Sequence, residues 1–201
     1  MKRVISLFFL AMIALGSCKR SLKPDAYIGY VKNVDNGLVK IVPTGGWEYT
    51  LQYRPYDYII MMENRNDMDK AQMTKRMEEL KGTAWFNISF KRDDNGTSPV
   101  RYNISSIEEY NQRLNYLLNE AKNDIKLVYD TTILTPVSYV FENNYNLTPQ
   151  ETIIVGFYLP HGEERPNKKM QLSYDDRVFK NGIIKATYSQ HSLQNIPGLT
   201  Y

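Results

Sequence analysis

The strongest constraint on the fold is a strict two-residue alternation over residues 47–54. Every second position of this segment carries a large apolar side chain: Trp47, Tyr49, Leu51 and Tyr53. Successive side chains of a β-strand point to opposite faces, so the segment is predicted to be a strand with one buried and one solvated face. Residues 84–91 alternate in the same way and predict a second strand of this kind. The fold therefore needs a sheet with at least one covered face.

Two segments have the spacing of amphipathic helices. Residues 66–81 carry acidic residues near their start and Met73, Met77 and Leu80 on one face, and Gly82 follows as a stop signal. The second helix is predicted to begin at Ser106, which forms a capping-box pattern with Glu109. Its apolar stripe then follows at helical spacing: Ile107, Tyr110, Leu114, Leu117, Leu118 and Ala121.

Further strand-like runs precede the first helix and follow the second. Before the first helix, Ala26–Lys32 and Gly37–Val42 flank an Asn-Gly hairpin signal, and Tyr56–Glu63 is predicted as a more fully apolar strand. Five runs follow the second helix: Lys126–Thr131, Val137–Phe141, Thr152–Leu159, Met170–Tyr174 and Ile183–Tyr188.

This order of elements favours an α+β fold over alternating βαβ units. We expect a mostly antiparallel β-sheet with two amphipathic helices that cover one face. The strands from about Asp124 onward either form a small sandwich-like subdomain or extend the same sheet, and both arrangements remain open.

The N-terminus has the pattern of an export signal. Lys2 and Arg3 precede an apolar run, Val4–Leu15, which is too short to span a bilayer of about 30 Å. The run ends in Leu15-Gly16-Ser17-Cys18, which resembles the bacterial lipobox. The resemblance implies cleavage after Ser17 and lipid on the Cys18 sulfur and nitrogen. We therefore expect a signal peptide at 1–17, a lipidated tether at 18–25 and one domain at 26–201, with a subdivision near 124 left open.

Composition excludes several classes of protein. Without Lys2 and Arg3, the 25 basic residues become 23 against 22 acidic ones, so the balance is near +1 and predicts no nucleic-acid partner. Cys18 is the only cysteine, and its lipidation would leave no thiol for a disulfide. Stability is expected to come from packing alone.

Candidate site residues are few. His161 lies in a polar loop with Glu163 and Glu164, but a metal site usually needs three or four ligands, so a solvated loop is favoured and no metal is expected. Trp47, Trp85 and His161 form the candidate ligand surface, although both tryptophans lie in strand-like runs that favour core packing. Nucleotide-binding and hydrolase motifs are absent from the sequence, so no cofactor and no catalytic residue is predicted.

The composition of the chain after Cys18 adds a second resemblance. This part of the chain is rich in Tyr, Asn, Ile and Lys, as in the runs Tyr27-Ile28-Gly29-Tyr30-Val31 and Leu51-Gln52-Tyr53-Arg54-Pro55. In this composition it resembles small lipoproteins of Bacteroidetes. In well-studied Gram-negative sorting, an aspartate directly after the cysteine retains a lipoprotein in the inner membrane. Here Lys19 follows the cysteine, which implies the outer membrane, and the basic residues around it favour the side facing the periplasm.

Three hypotheses for function follow. The leading one is a non-enzymatic binding or assembly module, held by its lipid near a protein partner in the envelope. The second is an envelope hydrolase that acts on glycan or peptidoglycan with carboxylates from distant positions. The third is a surface adhesin or glycan binder, which needs an exposed aromatic patch.

The lipid anchor leads to a first prediction. Replacing Cys18 by alanine is expected to release a soluble or unprocessed form, because stable anchoring needs two or more acyl chains. Fractionation of cells into membrane and soluble parts measures this. Normal membrane retention of the variant would show that the cysteine does not carry the anchor.

Overall fold

The computed structural model describes residues 21–63, 69–94, 96–145 and 147–200. The predicted signal peptide lies outside these residues, as do Ser17 and Cys18. Within the described part of the chain, no helix is long and apolar enough to cross a membrane.

The described residues contain both helices and strands. The strands are β1 Ser21–Leu22, β2 Val39–Thr44, β3 Trp47–Arg54, β4 Thr83–Arg92, β5 Ile125–Tyr129, β6 Thr132–Leu134, β7 Ser138–Glu142, β8 Gln150–Tyr158, β9 Met170–Asp176, β10 Gly182–Tyr188 and β11 Gly198–Leu199. The α-helices are α1 Pro24–Lys32, α2 Tyr56–Glu63, α3 Lys70–Leu80, α4 Ile107–Asn115 and α5 Gln190–Gln194. The mixture of helices with antiparallel sheets confirms the α+β class.

A five-stranded sheet in the order β2-β3-β4-β8-β7 contains the alternating segments. All of its neighbouring strands are antiparallel. The apolar side chains of β3 and β4 are buried on one face, whereas the residues between them are partly exposed except for Ser89, and this alternation confirms both predicted strands. β8 also alternates, and its inward residues include Ile153, Val155 and Phe157.

A four-stranded sheet in the order β10-β9-β5-β6 packs on the same core. Tyr188 of β10 lies 5.4 Å from the ring of Phe86 and 6.4 Å from the ring of Tyr53, measured between ring centroids. The strands that follow residue 124 divide between the two sheets, because β8 pairs with β4 whereas β5, β9 and β10 pair with one another.

The strands run between two ends of the molecule. At one end, which we call the α1 end, β3 leads into α2, β10 leads into α5, and the loop 159–169 joins β8 to β9. At the other, the α4 end, β3 begins at Trp47 and the turn 177–181 joins β9 to β10. The length of β3 separates the two ends by about 23 Å at 3.3 Å per residue.

The prediction of a strand at Ala26–Lys32 was wrong, because this segment belongs to α1. Pro24 occupies the first turn of the helix, where a missing N–H is harmless, and Asp25 lies at its positive end. Tyr27 and Val31 are buried at i and i+4. The expected hairpin is therefore absent, and a 3-10 turn at Val34–Asn36 replaces it.

The prediction of a strand at Tyr56–Glu63 was also wrong, because the segment forms α2. Residues 56–60 are all buried, so the helix has no polar stripe that would reveal its period. Periodicity alone does not distinguish such a run from a buried strand.

The two predicted helices are confirmed in their described residues. Asp69 caps α3 by accepting from the backbone N of Gln72 at 2.8 Å. Ser106 caps α4 by accepting from the backbone N of Glu109 at 3.1 Å. The reciprocal bond of the capping box goes instead to Ser105, whose backbone N donates to the Glu109 carboxylate.

The apolar stripe after Ser106 does not form one continuous buried face. Beyond α4 the chain widens into a π turn at Tyr116–Glu120 and tightens into a 3-10 turn at Ala121–Asp124. Leu117 and Ala121 are buried, whereas Ile107 and Leu118 are exposed. The expectation that two helices cover one face was incomplete, since α1, α2 and α5 also pack at the α1 end.

The body begins inside the segment that was predicted to be a tether. β1 pairs in parallel with β11, and the backbone N of Thr200 donates to the carbonyl oxygen of Leu22 at 2.9 Å. Pro24 then starts α1. The part of the 18–25 segment from Ser21 onward therefore belongs to the folded domain.

A close contact between a helix-covered tryptophan and a strand glycine gives a second prediction. A Cβ on Gly156 would lie 3.0 Å from two carbon atoms of the Trp85 ring. Replacing Gly156 by valine is therefore expected to lower the free energy of unfolding by about 1–3 kcal/mol, as overpacking does elsewhere. Urea unfolding measures the change.

Gly29 supplies the matched control. It lies inside α1, and a Cβ there would meet nothing within 4 Å. Alanine at this position is expected to raise the free energy of unfolding by about 0.5–1 kcal/mol. Equal stability of the Gly156→Val variant and the native protein would contradict the packing described here.

Candidate functional site

The turn 177–181 at the α4 end is held by one buried carboxylate. Asp176, at the end of β9, is only 2% exposed. It accepts hydrogen bonds from the backbone N of Val178 (3.1 Å), Phe179 (3.1 Å) and Asn181 (3.2 Å). It also accepts from the Tyr49 hydroxyl at 2.7 Å and from Asn181 Nδ2 at 3.0 Å. Five donors on one carboxylate leave the turn little freedom to move.

An aromatic cluster supports the same turn from beneath. The Phe179 ring stacks on Trp47 with centroids 3.8 Å apart and an interplanar angle of 24°. Tyr102 meets the edge of Trp47 at 5.4 Å, and the Arg92 guanidinium lies 4.0 Å above the Tyr102 ring. Trp47 is 3% exposed, so it anchors the turn and does not present a face to a ligand.

Helix α4 lies opposite the turn and is fixed through Arg113. Arg113 Nη1 donates to three backbone carbonyl oxygens, those of Pro99 (3.2 Å), Val100 (3.3 Å) and Tyr102 (2.6 Å). Its guanidinium also lies 5.4 Å from the Phe179 ring, and Nη2 lies 3.5 Å from the Glu109 carboxylate. Burial lowers the pKa of Arg113, but arginine remains charged at neutral pH.

A cleft of about 220 Å³ lies between α4 and the turn, and we call it the α4 cleft. Its lining combines both charges, an amide and an aromatic ring: Glu109, Gln112, Arg113, Tyr116, Arg177 and Val178. Arg177 is 64% exposed along its side chain, and its Nη2 lies 2.7 Å from the Asp124 carboxylate, to which the Tyr116 hydroxyl also donates. The cleft thus offers an accessible cation and hydrogen-bonding groups on rigid walls.

A second polar cluster lies at the α1 end. Arg165, from the loop 159–169, donates from Nη2 to buried Asp57 at 3.2 Å and from Nε to the Tyr56 hydroxyl, and its guanidinium lies 4.0 Å from the Tyr56 ring. Burial raises the pKa of Asp57, although Arg165 opposes the increase. The contacts hold the loop against α2.

The third buried carboxylate is Glu151 on β8, which is 1% exposed. It accepts from Ser98 Oγ at 2.5 Å and from the backbone N of Asn144 at 3.2 Å. Burial raises the pKa of Glu151 against the opposing effect of these two hydrogen bonds. Asp57, Glu151 and Asp176 therefore each hold a different loop, and within the described residues no hydrogen bond joins one of these carboxyls to another.

The residues singled out from the sequence do not come together. Trp85 is half-buried, donates from Nε1 to Thr83 Oγ1 at 2.7 Å and packs against the cluster formed by α2 and α3. His161 is exposed in the loop at the α1 end, with a φ of 58°. Trp47 lies under the turn at the α4 end. Within the described ranges, no group of three or more His, Cys, Asp or Glu residues is placed to hold a metal ion.

The sequence interpretation missed the residues of the α4 cleft. It did predict strands at Met170–Tyr174 and Ile183–Tyr188, and the structure confirms them as β9 and β10, which the turn 177–181 joins. No local sequence pattern predicts that this turn contacts α4, because the contact joins segments that are far apart in the chain. Comparison of the chain with protein-family models, with curated proteins and with solved structures finds no match.

The carboxylate that holds the turn gives a third prediction. Replacing Asp176 by alanine removes the acceptor of five hydrogen bonds and is expected to lower the free energy of unfolding by about 2–4 kcal/mol. Urea unfolding measures the loss. Tryptophan fluorescence is expected to change as well, because the ring stacked on Trp47 belongs to the same turn.

Asp175 is the matched control. It is adjacent in sequence. Its carboxylate forms a solvent-exposed ion pair with Arg177, whose Nε lies 3.5 Å away. Alanine at position 175 is expected to change stability by less than about 0.5 kcal/mol. Similar losses for the two variants would refute the special role of Asp176.

Proposed function

We propose that the protein is a lipid-anchored, non-enzymatic binding module of the cell envelope, and that the α4 cleft receives a protein partner. The observation that carries the proposal is the preformed cleft, whose two walls are held by Asp176 and Arg113. The anchor is the lipid predicted at Cys18. Lys19 and the basic residues near it support a place on the outer membrane, facing the periplasm.

The rigidity of the cleft favours binding. A partner that binds a mobile surface must immobilise the flexible side chains of that surface. Each immobilised side chain reduces the binding free energy by about 0.5–1.5 kcal/mol. Here Phe179 and Arg113 are already fixed by stacking and by hydrogen bonds to backbone carbonyls. Little of the binding free energy is therefore lost to ordering these walls.

The size and chemistry of the cleft favour a protein as the partner. Its volume of about 220 Å³ is smaller than the roughly 300–1,000 Å³ of typical small-molecule sites, and suits one or two side chains of a docked protein. Arg177 and Tyr116 belong to the residue types that contribute most at protein interfaces. Both charge signs are present, so the contact with a partner would be polar and specific.

The alternatives have less support. A glycoside hydrolase of the usual kind needs two facing carboxyls, whereas the described buried carboxyls each hold a separate loop. A glycan-binding adhesin needs an aromatic platform, but the most exposed tyrosines of the described residues, Tyr145 (76%) and Tyr158 (66%), lie towards opposite ends of β8.

The proposal also includes a sandwich-like arrangement of the two sheets, with the C-terminal strands shared between them. It is supported by contacts that join the sheets, such as the hydrogen bond from Tyr49 to Asp176 and the ring contact between Tyr53 and Tyr188. One rigid body of this kind would present the cleft in a fixed direction.

The test is capture of the partner by the full-length acylated protein. The protein is cross-linked in its native envelope, recovered in mild detergent, and its partner is identified by mass spectrometry and purified for affinity measurement. Arg177→Ala and Gln112→Ala are each expected to weaken binding of that partner, and Arg177→Ala by about ten-fold or more, as loss of an interface arginine commonly does.

Gln190→Ala is the matched control, because Gln190 is exposed on α5 at the α1 end. It is expected to bind like the native protein. Equal affinities for all three variants would exclude the α4 cleft as the binding site. Failure to recover any reproducible partner would count against the binding function itself.

A further inference from the structure

The first and last described strands lie side by side. Ser21 and Leu22 of β1 pair with Gly198 and Leu199 of β11, and the partly buried Leu22 and Leu199 pack on the main core. The Tyr30 hydroxyl of α1 donates to the carbonyl oxygen of Asn195 at 3.2 Å, which ties α1 to the segment after α5. The point where the chain enters the body is therefore fixed at the α1 end.

The distance from the lipid to this point is short. Only three residue steps separate Cys18 from Ser21 in the sequence. A fully extended chain spans at most about 3.6 Å per residue, so these steps reach no more than about 11 Å. That reach is less than half of the roughly 23 Å length of β3, which separates the α1 end from the α4 end.

We propose that the α1 end of the body lies against the lipid headgroups and that the α4 cleft points away from the bilayer. The inference rests on the lipid anchor in the proposed function and adds the membrane-facing surface to it. With the attachment point held within about 11 Å of the lipid, the body cannot turn its opposite end to the membrane without lifting the anchor out of it.

The exposed groups of the α1 end suit a lipid surface. Lys23 and Lys32 lie at the two termini of α1 and are exposed, and Val34 in the following turn is 48% exposed. Asp25 and Asp35 are also exposed there, so the net attraction to anionic headgroups is modest. The covalent tether, and not charge, fixes the orientation.

The orientation gives the α4 cleft a free approach from the solvent. The headgroup layer occupies only about 5–8 Å on each side of the hydrocarbon core, whereas the cleft lies beyond the length of β3. A protein partner can then reach Arg177 and Gln112 without meeting lipid. This links the position of the anchor to the position of the proposed binding site.

Site-specific fluorescence in proteoliposomes tests the orientation. Cys18 is the only cysteine of the chain, so a cysteine introduced elsewhere in the acylated protein is its only free thiol. Lys23→Cys reports on the α1 end, and Asn111→Cys, on an exposed position of α4, reports on the α4 end. Vesicles of phosphatidylethanolamine and phosphatidylglycerol carry a short-range nitroxide quencher on their headgroups.

The Lys23 probe is expected to be quenched several-fold more than the Asn111 probe. A flexible Gly-Ser linker of about ten residues, inserted between Arg20 and Ser21, adds about 17 Å of average reach and is expected to reduce the difference. Lys32→Cys provides a second α1-end position if the Lys23 variant folds poorly.

Three outcomes separate this inference from the function on which it rests. Mass spectrometry of the same samples that finds no lipid on Cys18 overturns both the anchor and the orientation. A lipidated protein whose two probes are quenched equally, or whose Asn111 probe is quenched more, overturns the orientation alone. Stronger quenching at position 23 that the linker weakens supports it.

Discussion

The apolar face shared by the two sheets is the contact on which the other features of the molecule depend. Tyr53 and Phe86 of the five-stranded sheet meet Tyr188 of the four-stranded sheet, and burial of an apolar ring such as that of Phe86 contributes about 1.5–3 kcal/mol. Where this apolar contact ends, the Tyr49 hydroxyl of one sheet donates to Asp176 of the other. The core therefore aligns the strands and places a polar link at the α4 end.

The hydrogen bond between Tyr49 and Asp176 connects the ordered core to the surface at the α4 end. Asp176 holds the turn 177–181, Phe179 of the turn stacks on Trp47, and Arg113 of α4 lies over the same Phe179 ring. Both walls of the α4 cleft are thus attached to buried groups. In the proposed function, this attachment keeps the cleft open before any partner arrives, so the surface needs no rearrangement to bind.

The pairing of β1 with β11 connects this site to the proposed anchor. Because the chain enters the body at the α1 end, the strands extend away from the point of attachment and carry the cleft on their far ends. In the proposed orientation, the short connection to the lipid makes the direction of the body a consequence of the fold. A long flexible tether would let the same body change its orientation relative to the membrane.

The sequence by itself determined the features that depend on neighbouring residues. The alternation at 47–54 predicted a one-sided strand, and Ser106 predicted the start of α4, because both patterns are set by local backbone geometry. It misjudged Tyr56–Glu63, since residues 56–60 are all buried and a run of consecutive buried residues shows no helical period. Only the tertiary structure decided which strands share a sheet and that Arg113 faces the turn after Asp176. Such contacts join distant segments, and their energy comes from packing that no local pattern encodes.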